Sequence, residues 1–309
     1  MTEVHGYAFA FPAGVGEHVA YIDDVSLSTG DGNVTPAGAV GQSDEVADAS
    51  PSVEVDPIAL PDYDPEGEFA LVWSDEFDAE AGTPINTVYW TCERGGHGWG
   101  NAQLEHNTDR VQNVAHDGEG HLVITARQEP YMGNRYTSAR CNTMDKVEFT
   151  YGRVEARMNL PEGQGIWPAF WMLGANFPEI GWPASGEIDI MEYVGKEPRS
   201  VHGTVHGPEY HGSGGLGMRY IFPEPVADDF HVFGIEWEPE IIRWTVDGEV
   251  FHTLTPETLY GGTWVFDHDF FLLINVAVGG NWPGNPDDTT EFPQEMLIDW
   301  VRVYQRTTE

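Results

Sequence analysis

From residue 69 onward, apolar and polar residues alternate in many short runs, and few segments show the i, i+3, i+4 apolar spacing of a helix. The alternation predicts β-strands over residues 71–73, 121–126, 151–158, 242–246, 270–278 and 296–304. Asp247 and Gly248 stand between two such runs and predict a tight hairpin turn. Many short strands separated by Gly and Pro over residues 67–306 predict an all-β fold, either a β-sandwich or a jelly roll.

The N-terminal part of the chain has a different character. Residues 20–27 alternate like a strand and resemble the last strand of carbohydrate-binding β-sandwich modules, so we interpret residues 1–29 as the tail of a truncated module. An ordinary N-terminal strand is the alternative. Residues 30–66 are rich in Gly, Ser, Pro, Asp and Glu, which predicts an acidic flexible linker.

The net charge of the chain limits the classes of partner that it can bind. It has 51 acidic residues against 14 basic ones, for a formal net charge of −37. Such a surface repels nucleic acid and anionic lipid, so we expect neither nucleic acid nor a membrane as a partner. Two interpretations of the acidity stay open. One is an ordinary acidic secreted protein, and the other is adaptation to high salt, in which screening relieves self-repulsion.

Two cysteines, Cys92 and Cys141, allow either one disulfide or two independent buried thiols. No apolar run approaches membrane-spanning length, and the N-terminus lacks the basic start and apolar stretch of a signal peptide. The chain is therefore intracellular or an internal piece of a longer secreted protein. We predict the second, with an extracellular location, and expect a monomer.

The stretch Gly186-Glu187-Ile188-Asp189-Ile190-Met191-Glu192 contains three carboxylates. On a helix, Glu187 and Glu192 would lie about 140° apart and could not act on one bond. On a regular strand, Glu192 would point away from Glu187 and Asp189. A β-bulge near Ile190 and Met191 returns Glu192 to their face. The sequence therefore predicts a bulged strand with three carboxylates on one side.

Three adjacent acids have few uses. They can hold a hard cation, split their pKa values for acid and base catalysis, or form a solvated strand face. The flanking residues favour catalysis on sugars, because Trp167 and Trp171 precede the acids and Trp182 lies five residues before Glu187. Each Trp alone could be a core residue. Eleven Trp in one chain are hard to place wholly in a core, and their polar edges suit half-exposed sites.

At these residues the sequence resembles glycoside hydrolase family 16, and within it the laminarinases, which are endo-1,3-β-glucanases. The resemblance runs from about residue 72 to residue 305, and the segments that carry it are 73–78, 98–101, 136–140, 151–157, 167–172, 186–192, 201–207, 279–284 and 299–304. The extra Met191 is typical of the bulged laminarinase motif, and mixed-linkage lichenases lack it.

The resemblance implies a β-jelly-roll sandwich of two curved antiparallel sheets with a concave substrate cleft. It also implies retention of anomeric configuration, with Glu187 as the nucleophile and Glu192 as the acid/base. Asp189 would hydrogen-bond the nucleophile and tune its charge. Retention requires the two glutamate carboxyls to lie about 5–5.5 Å apart.

Further cleft residues follow from the same resemblance. His206 is expected to approach the acid/base region, and Trp171 and Trp182 are expected to border the central subsites. A purely structural role in a loop is the alternative for the weaker candidates. The other substrate-binding candidates are Trp167, Arg140, Asn101, Trp99, Asn281 and Trp282.

Many family members also hold a structural Ca²⁺. The matching ligands here are the backbone oxygens of Glu76 and Gly120 and the carboxylate of Asp299, and such an ion would stabilise the fold. The chain departs from the family pattern at residues 105–107, where relatives tend to carry aromatic residues, and this puts the outer glycone subsite in doubt.

The resulting functional hypothesis is a retaining endo-glycoside hydrolase that cleaves internal β-1,3-glucosidic bonds of laminarin-type β-glucans. Two alternatives stay open. One is the same chemistry on another glycan, such as a mixed-linkage β-glucan or an agar-type galactan. The other is a non-catalytic β-glucan-binding protein, which the presence of both glutamates disfavours.

Overall fold

The computed structural model describes residues 57–307, and within them the chain is nearly all β. One short helix, α1 (Phe177–Ile180), and three 3₁₀ turns (Gly212–Gly214, Val226–Asp228 and Pro256–Leu259) complete the described elements. The strands are β1 (Glu68–Asp75), β2 (Thr91–Cys92), β3 (Glu105–Asn107), β4 (Val114–His116), β5 (Leu122–Tyr131), β6 (Asn134–Ser138), β7 (Arg140–Asn142), β8 (Glu148–Phe149), β9 (Gly152–Asn159), β10 (Ile166–Gly174), β11 (Glu187–Tyr193), β12 (Ser200–His206), β13 (Leu216–Ile221), β14 (His231–Glu238), β15 (Ile241–Val246), β16 (Glu249–Leu254), β17 (Phe270–Val278) and β18 (Gln294–Thr307).

The strands form two sheets. A ten-stranded sheet has the order β16-β15-β14-β9-β18-β5-β6-β3, with β1 added to β18 and β4 added to β5. An eight-stranded sheet has the order β13-β12-β11-β10-β17-β7-β2, with β8 added to β17. Neighbouring strands run antiparallel, apart from the parallel pair β3 and β6. The predicted jelly-roll sandwich of two antiparallel sheets is confirmed.

The strand predictions are confirmed in position. The apolar run 270–278 coincides with β17, and the alternating run 151–158 lies within one residue of β9 at both ends. The hairpin signal is confirmed too, because Val246 pairs with Glu249 across the turn. Asp247 has φ +51° and Gly248 has φ +81°, the positive values that a two-residue hairpin turn requires.

The main core lies between the two sheets. Val154, Ala156 and Met158 point into it from β9, and Phe170 and Met172 point into it from β10. A second apolar cluster lies on the opposite face of the eight-stranded sheet, where Trp167, Ala169, Trp171 and Leu173 project from β10. The strands β10, β11 and β17 are therefore buried on both faces, which explains the almost uninterrupted apolar sequences of β10 and β17.

Residues 57–66, the last part of the predicted linker, pack against this body. Ile58 donates its backbone N–H to Lys146 O at 2.8 Å, and its side chain and that of Leu60 contact the main core. Tyr63 donates its hydroxyl to Glu238 at 3.3 Å. Residues 58–63 of the predicted linker therefore pack against the folded body, because the apolar residues in this acidic segment cover part of the core. Residues 1–29 and most of the predicted linker lie outside the described residues.

Of the two arrangements left open for the cysteines, the structure has the disulfide. Cys92 on β2 and Cys141 on β7 are paired directly across the ladder and are bonded to each other. The bond ties the edge of the eight-stranded sheet to the strand that carries Arg140. In the described part of the chain, no helix has the length and apolar character needed to cross a membrane.

Candidate active site

The carboxylate stretch forms β11, and it contains the predicted bulge. Towards β10, Met191 pairs with Phe170 and Asp189 pairs with Trp171, so Ile190 has no partner. Towards β12, three steps from Asp189 to Glu192 match two steps on the neighbouring strand. Ile190 and Met191 both enter the main core as a result, and Glu192 returns to the side of Glu187 and Asp189.

The three carboxylates lie on what we call the active-site face, the face of the eight-stranded sheet that carries Trp167, Ala169, Trp171 and Leu173. The cross-strand pairs fix this assignment, since paired residues project to the same side of a sheet. From β10 through β11 to β12, the rows are Leu173–Glu187–His206, Trp171–Asp189–Thr204 and Ala169–Glu192–His202.

The surroundings of the carboxylates favour their neutral forms. Glu187, Asp189 and Glu192 are at most 1% exposed, and burial raises the pKa of each well above its ordinary value. The charge of Asp189 raises the pKa values of both glutamates further. Three like charges cannot all form easily in this space, so the cluster keeps its protons to a higher pH than isolated carboxyls do.

Different groups act to lower the pKa of each of the two glutamates. The guanidinium of Arg140 and the indole of Trp182 lower the pKa of Glu187, while His206 and the indole of Trp167 lower that of Glu192. Arg140 is a permanent cation, whereas burial lowers the pKa of His206 to about 4 and leaves its ring neutral near pH 7. Glu187 is therefore the glutamate with fixed positive charge beside it.

His206 lies directly beside Glu187 and Asp189, and it also acts electrostatically on Glu192. Its Nε2 atom is 3.2 Å from Asp189 Oδ2 and 3.5 Å from Glu187 Oε1. The reason is the strand register, because His206 pairs with Glu187 and His202 pairs with Glu192. The spacing of His202 and His206 indicates only that both histidines share a face, since alternate residues of a strand do.

Aromatic side chains flank the carboxylates at both ends. Trp182 is partly exposed and packs against His206, with ring centroids 6.2 Å apart. Trp282 packs edge-on against Trp167 at 5.4 Å and against His202 at 5.1 Å. Trp182 thus borders the Glu187 end of the cluster, and Trp282, which is 7% exposed, borders the Glu192 end.

Arg140 and Trp171 form the floor beside Glu187. The Arg140 guanidinium lies 4.9 Å from the ring centroids of both Trp99 and Trp171, and its Nε is 2.5 Å from Glu93 Oε2. Trp171 donates its indole N–H to Asn275 Oδ1 at 2.8 Å. Sequence reasoning missed Glu93 and Asn275. Asn275 had a signal, because it interrupts the apolar run of β17, but nothing near Glu93 indicated its partner.

Three weaker candidates occupy two loops at the edge of the site. Asn281 donates its backbone N–H to Asn101 O at 2.9 Å, which ties the loops together. Trp99 is fully buried and donates its indole N–H to Gly95 O at 3.2 Å. These contacts give all three residues a structural role in the loops.

The predicted Ca²⁺ ligands have a different neighbourhood. Asp299 supplies the only carboxylate of the predicted set, and its Oδ2 accepts a hydrogen bond from Arg157 Nη1 at 2.6 Å. The Glu76 side chain is bound by Arg302, which leaves its backbone oxygen as the predicted ligand. An arginine bound to Asp299 competes with a cation there, so these contacts do not favour the site, and Ca²⁺ stays a prediction.

Comparison with known proteins places the chain among glycan-cleaving enzymes. The family model described as "Glycosyl hydrolases family 16" matches residues 101–302. The chain is 46% identical to a β-glucanase of Rhodothermus marinus over 245 residues, covering 76% of this chain and 85% of that protein. It is 40% identical to glucan endo-1,3-β-glucosidase A1 of Niallia circulans over 76% of this chain, although that match spans only 38% of the relative. The solved catalytic domain of an endo-1,3-β-glucanase (laminarinase) from Thermotoga petrophila matches with a TM-score of 0.74 and 48% identity, over 78% of this chain and 100% of that one.

Proposed function

The chain belongs to glycosyl hydrolase family 16, and from that premise we propose that it hydrolyses internal β-1,3-glucosidic bonds of laminarin-type β-glucans with retention of configuration. The observation that carries the proposal is the bulge in β11, which sets Glu187, Asp189 and Glu192 on one buried face between tryptophans. Endo-1,3-β-glucanases among the relatives support the choice of bond.

In the first step, a carboxylate oxygen of Glu187 attacks the anomeric carbon, and the bond from that carbon to the glycosidic oxygen breaks. Glu192 gives its proton to the departing oxygen, which leaves as a hydroxyl group of the released chain. A covalent ester between the sugar and Glu187 remains, and Glu192 is left as a carboxylate.

In the second step, Glu192 takes a proton from water, and the water oxygen attacks the same anomeric carbon. The ester bond breaks, Glu187 is restored as a carboxylate and Glu192 regains its proton. Each step inverts the anomeric carbon, so the product keeps the β configuration.

The electrostatics of the site suit this division of roles. A nucleophile must be ionised and an acid must be protonated, and Arg140 favours the ionised form of Glu187. Glu192 has only the neutral ring of His206 and the Trp167 indole to oppose its burial, so it favours the protonated form. Asp189 lies between Glu187 and Glu192 on β11. It can share a proton with Glu187, which tunes the charge of the nucleophile.

A digest panel tests the proposal. Laminarin, lichenan, agarose and carrageenan are incubated with the protein, and the products are sized over time. We expect laminarin to yield a ladder of intermediate oligosaccharides, and ¹H NMR to show the β-anomer of each new reducing end first. Binding of laminarin without any cleavage would favour the glucan-binding alternative, and preferential cleavage of another glycan would move the substrate assignment.

Further properties remain proposals supported by the sequence alone. We propose secretion, a monomeric state and adaptation to high salt. We also propose the structural Ca²⁺ at Glu76, Gly120 and Asp299, which would stabilise the folded state because it binds that state alone. A melting temperature that does not change when EDTA removes Ca²⁺ would contradict the calcium proposal.

A further inference from the structure

A second chemical capacity of the site arises from His206 together with two of its carboxylates. Among residues 57–307, one group offers three acidic or imidazole ligand atoms that all lie within 4.8 Å of one another, namely Glu187, Asp189 and His206. Glu192 does not belong to the group. The juxtaposition comes from two adjacent strands, because β11 supplies both carboxylates and β12 supplies the imidazole in register with Glu187.

The spacing of these atoms matches the coordination shell of a small transition-metal ion. Zinc lies about 2.0–2.2 Å from histidine nitrogen and carboxylate oxygen, so neighbouring ligand atoms around a tetrahedral ion are separated by about 3.3–3.6 Å. His206 Nε2 lies 3.2 Å from Asp189 Oδ2 and 3.5 Å from Glu187 Oε1. Both distances from the imidazole therefore match the shell of one ion, and the two carboxylate oxygens lie no more than 4.8 Å apart.

The ligand atoms have few partners outside the group, chiefly the Trp182 indole and the Arg140 charge that act on Glu187. The carboxylate oxygens of Glu187 and Asp189 and both ring nitrogens of His206 are buried, and within the described part of the chain none makes a well-formed hydrogen bond. Buried polar atoms without partners destabilise a folded protein. A bound cation would satisfy the carboxylates and the imidazole together.

We propose that Glu187, Asp189 and His206 bind a divalent transition-metal ion of the Zn²⁺ type, and that this ion inhibits the enzyme reversibly. One imidazole and two carboxylates suit zinc and its neighbours, whereas Ca²⁺ and Mg²⁺ prefer shells built from oxygen alone. This site is separate from the predicted structural Ca²⁺ site, and the two differ in metal selectivity.

Inhibition follows from the identity of the ligands. The Glu187 carboxylate that binds the ion is the group that would attack the anomeric carbon, so the ion and the substrate exclude each other. Only this consequence rests on the proposed function, because metal binding itself requires no catalysis.

Thermal unfolding tests binding independently of activity. The melting temperature is measured with increasing ZnCl₂ in excess MgCl₂, which saturates the non-specific acidic surface. We expect Zn²⁺ to raise the melting temperature of the wild type, because a ligand that binds the folded state stabilises it. His206→Gln should require at least about tenfold more Zn²⁺, since even loss of an outer-shell partner weakens metal sites about 10–100-fold.

His231→Gln is the matched control. His231 lies on β14 in the other sheet, with Nδ1 2.7 Å from Asp247 Oδ2, and so forms a similar histidine–carboxylate pair without a second carboxylate ligand. It should keep the wild-type response to Zn²⁺. Equal responses in wild type and His206→Gln would overturn the proposal. If His206→Gln does not fold, Asp189→Asn removes a different ligand and serves the same comparison.

Steady-state kinetics on laminarin separates the two proposals. We expect Zn²⁺ to raise KM without lowering kcat, EDTA to reverse the effect, and Ca²⁺ to have none. A His206-dependent thermal shift in a protein that cleaves no glucan would support the metal site and contradict the proposed function. If the protein cleaves laminarin, and Zn²⁺ neither inhibits the cleavage nor raises the melting temperature, the metal site is contradicted and the proposed function stands.

Discussion

Glu187 and Glu238 are glutamates with opposite surroundings, one on each sheet. Glu238, on β14, is bound by Arg306 at 2.8 Å and by Arg243 at 3.0 Å. Burial raises its pKa, but the two arginines outweigh burial and hold the pKa below its ordinary value. Glu187 is fully buried, its nearest ionisable neighbours include two more acids, and its pKa is well above the ordinary value.

The contrast extends to the sheets that carry these residues. Arginines are scarce in a chain with 14 basic residues, and those on three strands of the ten-stranded sheet each pair with an acid. They are Arg153, Arg157, Arg243, Arg302 and Arg306. On the active-site face, Arg140 is the cation that acts on Glu187. The acids of these five pairs lie on or next to strands of the ten-stranded sheet, whereas the three acids of β11 lie on the eight-stranded sheet.

The largest effect should come from removing the nucleophile. Glu187→Ala should lower kcat on laminarin by about 10³-fold or more, because no other group can form the covalent ester. Its melting temperature should stay equal or rise, since the substitution relieves repulsion among buried acids. Initial rates by reducing-sugar release and thermal unfolding measure the two effects.

Glu238→Ala is the control for that comparison. It should keep the wild-type rate and lower the melting temperature, because Arg243 and Arg306 lose their partner. If Glu238→Ala were the inactive variant and Glu187→Ala the active one, the division between structural and chemical acids would be wrong.

The next largest effect should separate the two buried glutamates from each other. Glu192→Gln removes a general acid, a contribution of about 10²–10⁴-fold, but only where the leaving group needs a proton. We expect a large loss on laminarin and a much smaller one on an aryl β-glucoside oligosaccharide with an acidic phenol. Equal losses on both substrates would contradict the acid role of Glu192.

The bulge in β11 could be predicted from the sequence because it depends only on local strand geometry. With a period of two residues, Glu187, Asp189 and Glu192 can share a face only if one residue between them is extra. β17 could be predicted for the same reason, because its long apolar run has clear ends in the sequence. The position of His206 could not be predicted, because the register between β11 and β12 decides which histidine meets which glutamate.

Contacts between distant segments were also beyond local reasoning. Arg140 meets Glu93 across 47 residues of chain, and Trp171 meets Asn275 across 104. Glu105 stands where relatives tend to carry aromatic residues, and the sequence suggested only a changed subsite. The structure shows instead a buried side chain that accepts the Val278 N–H at 2.8 Å.

Glu105 sharpens the comparison, because it is buried without belonging to the acid cluster. Burial raises its pKa from 4.5 to about 7. Below pH 4.5 the folded and unfolded states both hold the proton. Between pH 4.5 and about 7 the unfolded chain releases it first, so stability is lost as pH rises, by about 3 kcal/mol at most.

Glu105→Gln should abolish this loss, because glutamine stays neutral and can still accept the Val278 N–H. The variant should melt close to the wild type at pH 4 and several degrees above it at pH 8. Glu238→Gln should behave in the opposite way, because the pKa of Glu238 is lowered and its stabilisation is lost as pH falls. A pH-independent difference for Glu105→Gln would show that its carboxyl ionises alike in both states.

The smallest effect should be that of salt, and its sign tests which set of charges dominates stability. Salt weakens the arginine–carboxylate pairs of the ten-stranded sheet, but exposed pairs contribute only about 0–1 kcal/mol each. Salt also screens the repulsion within a chain of formal net charge −37. We expect the second effect to prevail, so the melting temperature should rise by a few degrees with NaCl.

Most of the rise should occur below about 1 M, where the screening length has fallen to about 3 Å. A linear rise that continues at higher salt would indicate strengthened apolar burial instead. A flat or falling curve would mean that the arginine pairs outweigh the acid excess, and it would remove the support for adaptation to high salt.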